Sequence, residues 1–352
     1  MTRRRDLAHG HRIRDIAEQA GLSEATVDRV LHRRPGVSAR AVRAVEQALL
    51  DLDRQQTQLR LGARTLMLDV VMQAPRRFSS AVREALEAEL PSARPAAVRA
   101  RFHLRESGEP ADLAATLDGL GRHGRTSQGV LLKAPDHPEV AAAVRRLHER
   151  GVPVVTLVTD VHDCPRIAYV GLDNTAAGAT AAYLIAQWLR GGRGTVLVTL
   201  SRSVFFGERE RAEAFRRVLG ELAPGLSVVV ITDADGLDEA MGALVRATLA
   251  EHPEVRAVYS VGGGNRAIAA ELARAGVRCE VFLGHDLDEH NLELLQAGTL
   301  HAVLHHDLRA DMRAALRQVL RYHRLLPGAP TSVPAGVEVI TRYNIPARLR
   351  PS

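Results

Sequence analysis

Two cysteines in 352 residues, Cys164 and Cys279, are too few and too far apart for a disulfide framework or a thiolate metal site, so they read as free thiols of a reducing compartment. No run approaches the roughly 20 apolar residues of a membrane span. Arg3, Arg4 and Arg5 are followed by polar residues rather than an apolar stretch, which argues against an export signal, and a cytoplasmic protein is expected. Lysine is almost absent: Lys133 is the only one, arginine stands in for it everywhere else, and basic charge alone therefore carries little information. Enzyme signatures are missing too, with no G-x-S-x-G elbow, no HExxH, no P-loop and no thiolate pair at ligand spacing. The expectation is binding without catalysis, with no cofactor and no metal.

At 352 residues the chain exceeds what one hydrophobic core serves, so a small unit and a larger bilobal one are expected. The formal charge is +6, and residues 1–62 hold twelve arginines against eight acidic residues. That excess favours a polyanionic partner at the amino-terminal end.

Residues 12–52 carry three helical patterns broken by short turns. Ile13, Ile16, Ala17 and Ala20 recur at helical spacing, Gly21 permits a tight turn, and Ser23 is suited to cap the next helix. In that second helix Val27, Val30 and Leu31 point to a core, which leaves Glu24, Ala25, Asp28 and Arg29 outward as candidates for base or phosphate contact. Pro35-Gly36 breaks the chain, and Ser38 caps a third helix to about Leu52. By spacing alone this is a helix-turn-helix that reads DNA, or a three-helix interaction bundle that does not.

Arg14-Asp15-Ile16-Ala17-Glu18-Gln19-Ala20-Gly21-Leu22-Ser23, then Thr26-Val27-Asp28-Arg29-Val30-Leu31, then Gly36-Val37-Ser38-Ala39-Arg40 resemble the headpiece of the lactose-repressor family. The resemblance implies a head at 10–53 and a linker at 54–64. Glu24 and Ala25 would set operator preference and Arg29 support DNA contact, with Ser23, Thr26, Asp28, Arg33 and Ser38 completing the DNA-binding set. Asp28, where the family usually has serine, is expected to pair with Arg29 or Arg33. The linker is polar and glutamine-rich; the family folds it into a hinge helix whose leucine wedges into the minor groove, a place for Leu59 or Leu61. A solvated spacer is the alternative.

From Thr65 onward, apolar runs at 66–72, 97–102, 129–133 and 152–157 alternate with helical patterns near 79–90, 111–121 and 138–150. A second series has runs at 195–198, 228–232, 257–260 and 281–283. Such alternation signals parallel sheets covered on both faces, and two series imply two lobes with the ligand between the carboxyl ends of their strands. The expected fold class is α/β: a three-helix helix-turn-helix head plus a bilobal domain of two doubly wound parallel sheets.

The order and local sequences of 65–345 resemble the periplasmic-binding-protein fold that lactose-type repressors carry. The resemblance implies one lobe over about 65–173 and 302–325 and another over about 174–301 and 326–345. Asp173 and Asn174 are expected at the lobe crossover, a carboxylate there accepting two sugar hydroxyls at once, although the same pair suits a helix cap. Arg211, four residues before Phe215, is expected to donate its planar fork to ligand oxygens, with a surface ion pair beside Glu208 and Glu210 as the alternative. Asn265 follows the glycine-rich turn Gly262-Gly263-Gly264, Asp286 closes a Gly-aromatic-Asp turn, and His306 stands where relatives carry glutamine; all three join the ligand set. Phe78 is placed to stack on a sugar ring. Arg76 and Arg77 suit an acidic or phosphorylated sugar, or are idle.

The implied function is a ligand-responsive repressor of carbohydrate uptake or catabolism genes, a homodimer on a pseudo-palindromic duplex DNA operator, with a sugar, polyol or sugar acid as effector and no membrane partner. No leucine-heptad tail occupies 342–352, which favours a dimer over a tetramer. The competing classes are a solute-binding protein without DNA binding and an α/β enzyme acting on a small polar substrate.

Overall fold

The computed structural model describes residues 7–8, 11–61, 65–122, 126–190, 192–232, 234, 237–332 and 334–349. Two units divide the chain, one formed mainly by the residues up to Thr65 and one by nearly all that follow.

The first unit opens with a short antiparallel ladder, β1 (Leu7–Ala8) and β2 (His11–Arg12), then three helices, α1 (Ile13–Ala20), α2 (Glu24–Leu31) and α3 (Ala39–Leu61). Helix α1 stops at Gly21, whose φ of 64° is left-handed and whose N–H closes onto the Ala17 and Glu18 carbonyls. Ser23 caps α2 by accepting from the Thr26 N–H, and Ser38 accepts from the Ala41 N–H at the start of α3. Ile16, Ala17, Val27, Val45 and Ala48 form the core, with Val30 and Leu31 packed against it, as the periodicity predicts.

Helix α3 does not end near Leu52. It runs unbroken to Leu61, so residues 54–61 of the expected linker are its last turns. No glycine or proline lies between Ala39 and Leu61 to stop it, and the leucine, glutamine and arginine there are good helix formers. The side chain of Leu59 and residues 62–64 lie outside what the structure describes.

The second unit runs β3 (Thr65–Gln73), α4 (Arg76–Glu89), β4 (Ala97–Arg105), α5 (Pro110–Gly119), β5 (Gly129–Lys133), α6 (Pro138–Glu149), β6 (Val154–Leu157) and β7 (Ala168–Val170). It crosses over to α7 (Asn174–Leu189), β8 (Gly194–Thr199), α8 (Phe206–Leu222), β9 (Leu226–Ile231), α9 (Asp238–Glu251), β10 (Val255–Ser260), α10 (Asn265–Arg274), β11 (Val281–His285), α11 (Glu289–Gln296) and β12 (Ala302–His305). It then returns through α12 (Leu308–Tyr322) to β13 (Glu338–Ile340).

The strand orders are β4-β3-β5-β6-β7 in the first lobe and β13-β12-β11-β10-β8-β9 in the second. The second sheet is parallel except for β13, which pairs antiparallel with β12 at its edge. Helices cover both faces: α5 and α6 pack as one pair and α4 and α12 as another in the first lobe, α7 with α8 and α9 with α10 in the second. Both sheets are therefore doubly wound, as the two series of runs predict. One expected boundary is corrected: residues 302–305 belong to the second sheet as β12, so the chain crosses back after His305 rather than before 302.

Burial drives the packing. Val70, Val71, Leu131 and Leu132 in the first sheet and Val196, Val198, Val258 and Leu283 in the second are wholly inaccessible. Each such side chain contributes about 1.5–3 kcal/mol. The two lobes join at three crossings. Two of them are zipped together, Ala335 donating its N–H to the Gly171 carbonyl at 2.7 Å and accepting from the Asp173 N–H at 2.9 Å.

Candidate functional site

Parallel strands end on the same side of their sheet, and the carboxyl ends of both sheets face one cleft. Its wall holds Arg77, Phe78 and Glu106 from the first lobe with Lys133 at the end of β5, and Ser201, Phe205, Glu208, Arg211, His285, Asp286, Asp288 and Asn291 from the second. Lys133 reaches that position because β5 aligns with β3 through the pair Met72 and Lys133, the last of their ladder.

Across the cleft the lobes touch. Arg77 Nε donates to Asp288 Oδ2 at 2.8 Å, the Asp136 N–H donates to the Val204 carbonyl at 2.9 Å, and the Gly207 N–H donates to Thr159 Oγ1 at 3.0 Å.

Arg211 lies on α8, which packs closely on α7. A Cβ at Gly178 of α7 would lie 2.1 Å from the Arg211 carbonyl oxygen, so only glycine allows this approach. The side chain is buried, and its Nε donates to Asn174 Oδ1 at 2.8 Å. Among the described residues no carboxylate pairs with it, which decides against the expected alternative of a surface ion pair. Its neighbours on α8 turn elsewhere: Glu208 accepts from the Ser201 N–H at 2.7 Å and from Ser201 Oγ, and Glu210 lies 3.4 Å from Asn174 Nδ2, burial pushing its carboxyl up.

Asp286 follows β11 in a left-handed conformation, φ 61°, which a non-glycine residue adopts only when its surroundings hold it there. His306 does so, with Nε2 3.3 Å from Asp286 Oδ1 and Nδ1 hydrogen-bonded to Asp311 Oδ2. Burial opposes charge on His306, but its two carboxylate partners outweigh it and raise the imidazole to about 9. Burial likewise works against ionisation of Asp286, and His306 and Arg211 reverse it, holding that carboxyl below the usual range. Beside them His285 Nε2 lies 2.8 Å from Tyr259 Oη, which leaves Nδ1 without a partner; burial and Arg211 hold this ring neutral.

Of the expected ligand residues, Phe78, Arg211 and Asp286 line this one cleft. The others take different places. Asp173 is exposed and caps α7, accepting from the Ala176 N–H at 2.9 Å, so the capping alternative describes it. Asn174 is buried behind the wall, orienting Arg211. Asn265 is also buried, donating to Asn291 Oδ1, and Asn291 in turn donates to the His285 and Asp286 carbonyls. His306, wholly buried, stands behind Asp286 instead of on the wall. Lys133, Phe205 and Asn291 were absent from the expected set, and only Lys133 carried a signal, as the one lysine in the chain at the end of a strand.

In the head, Glu24, Ala25 and Arg29 are exposed on the outer side of α2, and Thr26 is half-buried, its hydroxyl 2.8 Å from that of Ser23. Asp28 pairs with Arg34 and His32, each at 3.0 Å, and not with the expected Arg29 or Arg33. His32 sits one helical turn on, while Arg33 adopts φ 52°, a turn conformation that brings Arg34 back toward α2. Arg29 and Arg33 stay exposed, as does Ser38. Among the described residues there is no cluster of three or more His, Cys, Asp or Glu able to hold a metal, and no helix is long and apolar enough to cross a membrane.

Comparison with curated proteins gives no match. A family model of the periplasmic binding protein domain matches residues 124–324, and a model of bacterial regulatory proteins of the lacI family matches residues 12–53. Among solved structures, the glucose-galactose binding protein GanP from Geobacillus stearothermophilus is similar with a TM-score of 0.71 at 18% identity, over 81% of this chain and 100% of that one. A solute-binding protein of a transporter from Burkholderia graminis, solved with D-arabinose, has a TM-score of 0.70 at 21% identity, over 79% of this chain and 96% of that one. Another from Bacillus halodurans, with bound myo-inositol, has a TM-score of 0.68 at 15% identity, over 79% and 95%. These likenesses carry the fold. With a helix-turn-helix head at one end and a two-lobed binding domain filling the rest, the chain belongs to the lacI type of bacterial regulatory protein with a periplasmic binding protein domain as its larger unit.

Proposed function

We propose that the chain is a cytoplasmic, sugar-responsive repressor that binds a two-fold-symmetric operator as a homodimer. The observation that carries the ligand reading is the convergence of Phe78, Arg211 and Asp286 on one cleft. An aromatic face, a buried guanidinium anchored through Nε and a carboxylate held against His306 supply stacking, donors and an acceptor, the chemistry a polyhydroxylated ring demands. The neighbours with bound D-arabinose and myo-inositol support a compound of that class.

Ser23, Thr26 and Ser38 set the helix ends, which leaves Glu24, Ala25, Arg29 and Arg33 to meet bases and phosphates. A DNA-binding head in the same chain weighs against a simple solute carrier. Ligand closes the lobes and shifts the head's affinity for DNA, and that coupling is reciprocal.

Thermal-shift screening of aldoses, polyols and sugar acids tests the ligand reading. A stabilising compound whose effect disappears in both Arg211→Ala and Asp286→Asn supports the cleft, and an undiminished effect in both variants overturns it.

A further inference from the structure

We propose that the ligand of this cleft carries a carboxylate, and that Lys133 receives it. This deepens the sugar reading and rests on it, narrowing the class from sugars in general to aldonic or uronic acids.

Lys133 is 8% exposed, and its Nζ lies inside the cleft 4.2 Å from the centroid of the Phe205 ring and 5.9 Å from that of Phe78. One hydrogen bond reaches it, 3.1 Å to the Gln73 carbonyl, so two of its three N–H donors are unused. Among the described residues no carboxylate lies within ion-pair distance of it. A buried ammonium in that condition is costly, and a ring face recovers only part of the loss.

The carboxylates that share the wall are already committed. Asp288 holds Arg77, Asp286 holds His306, Glu208 accepts twice from Ser201, and Glu106 accepts from the Arg76 N–H. Lys133 and Arg211 are the cations of the wall left without a carboxylate partner. Arg211 offers a fork suited to hydroxyl oxygens beside Asp286; Lys133 offers a point charge in an apolar box, suited to an anionic end. Four carboxylates around the wall disfavour a doubly charged phosphate, so the anion that fits is a carboxylate.

The charged groups acting on Lys133 explain how it would respond. Burial pushes its ammonium down to about 8, Arg211 adds to that effect, and Glu208 and Asp286 oppose it. A bound carboxylate at ion-pair distance would hold the proton on.

A single lysine makes the test direct. The full-length chain, produced with lysine carrying 13C at Cε, gives one lysine Cε resonance, and its titration reports Lys133 alone. The probes are D-gluconate and D-galacturonate beside D-glucose, D-galactose and D-glucose 6-phosphate. The expected results are that an acid moves the midpoint of that resonance upward by a unit or more while the neutral sugars do not, and that affinity for the acid weakens toward tenfold per pH unit above about 8. In Lys133→Met the ratio of acid to neutral-sugar affinity collapses, and Lys133→Arg keeps part of it. Neutral sugars binding with no preference for acids, or an acid binding without moving the resonance, overturns the proposal and leaves the sugar reading standing. Preference for the phosphate overturns the carboxylate. A panel in which nothing binds ends both readings.

Discussion

The α-carbon of Gly178 faces the backbone carbonyl of Arg211 so closely that a single added carbon would sit 2.1 Å from its oxygen. The position of the cleft's guanidinium is thus set by a missing side chain on a neighbouring helix. Gly178→Val is expected to push α7 from α8 at a cost of about 3 kcal/mol, and Gly178→Ala somewhat less. Denaturant melts monitor the loss; an undiminished midpoint in the valine variant contradicts the packing.

Arg77 and Asp288 form an ion pair between the lobes at 2.8 Å, with Asp288 largely buried. Arg77→Ala and Asp288→Asn are each expected to weaken ligand binding, and the double variant to weaken it less than the sum of the two. A coupling of about 1 kcal/mol in a double-mutant cycle of ligand affinities is the expected size. Strict additivity shows that the pair does not latch the cleft.

His306 gives the fold a defined pH response. Its native value of about 9 exceeds the ordinary 6.5, so the charged form stabilises the native chain fully below about 6.5, and that contribution is lost as pH rises through 9. Lys133, pushed down to about 8, acts with the opposite sign above that value, and His285 and His301, both lowered from 6.5, act with the opposite sign mainly below about 7, so His306 dominates the window from about 7 to 8. Thermal melts of the full chain are expected to show stability falling across this window, and His306→Gln to flatten the slope. An equal slope in the variant refutes the assignment.

In the head, Arg29 is exposed on the outer side of α2, one turn beyond Ala25. Arg29→Ala is expected to weaken duplex binding and to lower the salt slope of log K by about 1 if it meets a phosphate, or to relax specificity at one base pair at a cost of about 1–3 kcal/mol if it meets guanine. Anisotropy titrations over a salt series separate these outcomes, and unaltered affinity and specificity remove Arg29 from the interface.

The layers of this fold were legible because their signals are local. Unbroken apolar runs rich in β-branched residues, such as Thr195 to Val198, mark strands wherever they pack, and Gly21 and Ser23 bracket a turn whatever surrounds it. The site was legible only in part, since a cleft wall is set by which strand ends meet in space. Phe78, Arg211 and Asp286 could be carried over from a familiar pattern. Phe205 and Asn291 have no local signature, and Asp173 misled because an acidic residue before a helix looks the same whether it holds a ligand or caps the helix. The long α3 was missed for another reason: a polar, glutamine-rich run resembles a linker in composition while having good helical propensity.

Selection of full-length protein against a pool of random duplexes, followed by affinity measurement on the enriched sequence with and without a compound found by thermal shift, probes the coupling between cleft and head most directly. Enrichment of a two-fold-symmetric sequence is expected, with a salt-sensitive affinity that changes when the compound is present and stays unchanged by it in Arg211→Ala. No enriched duplex, or an affinity indifferent to every compound the cleft binds, would contradict it.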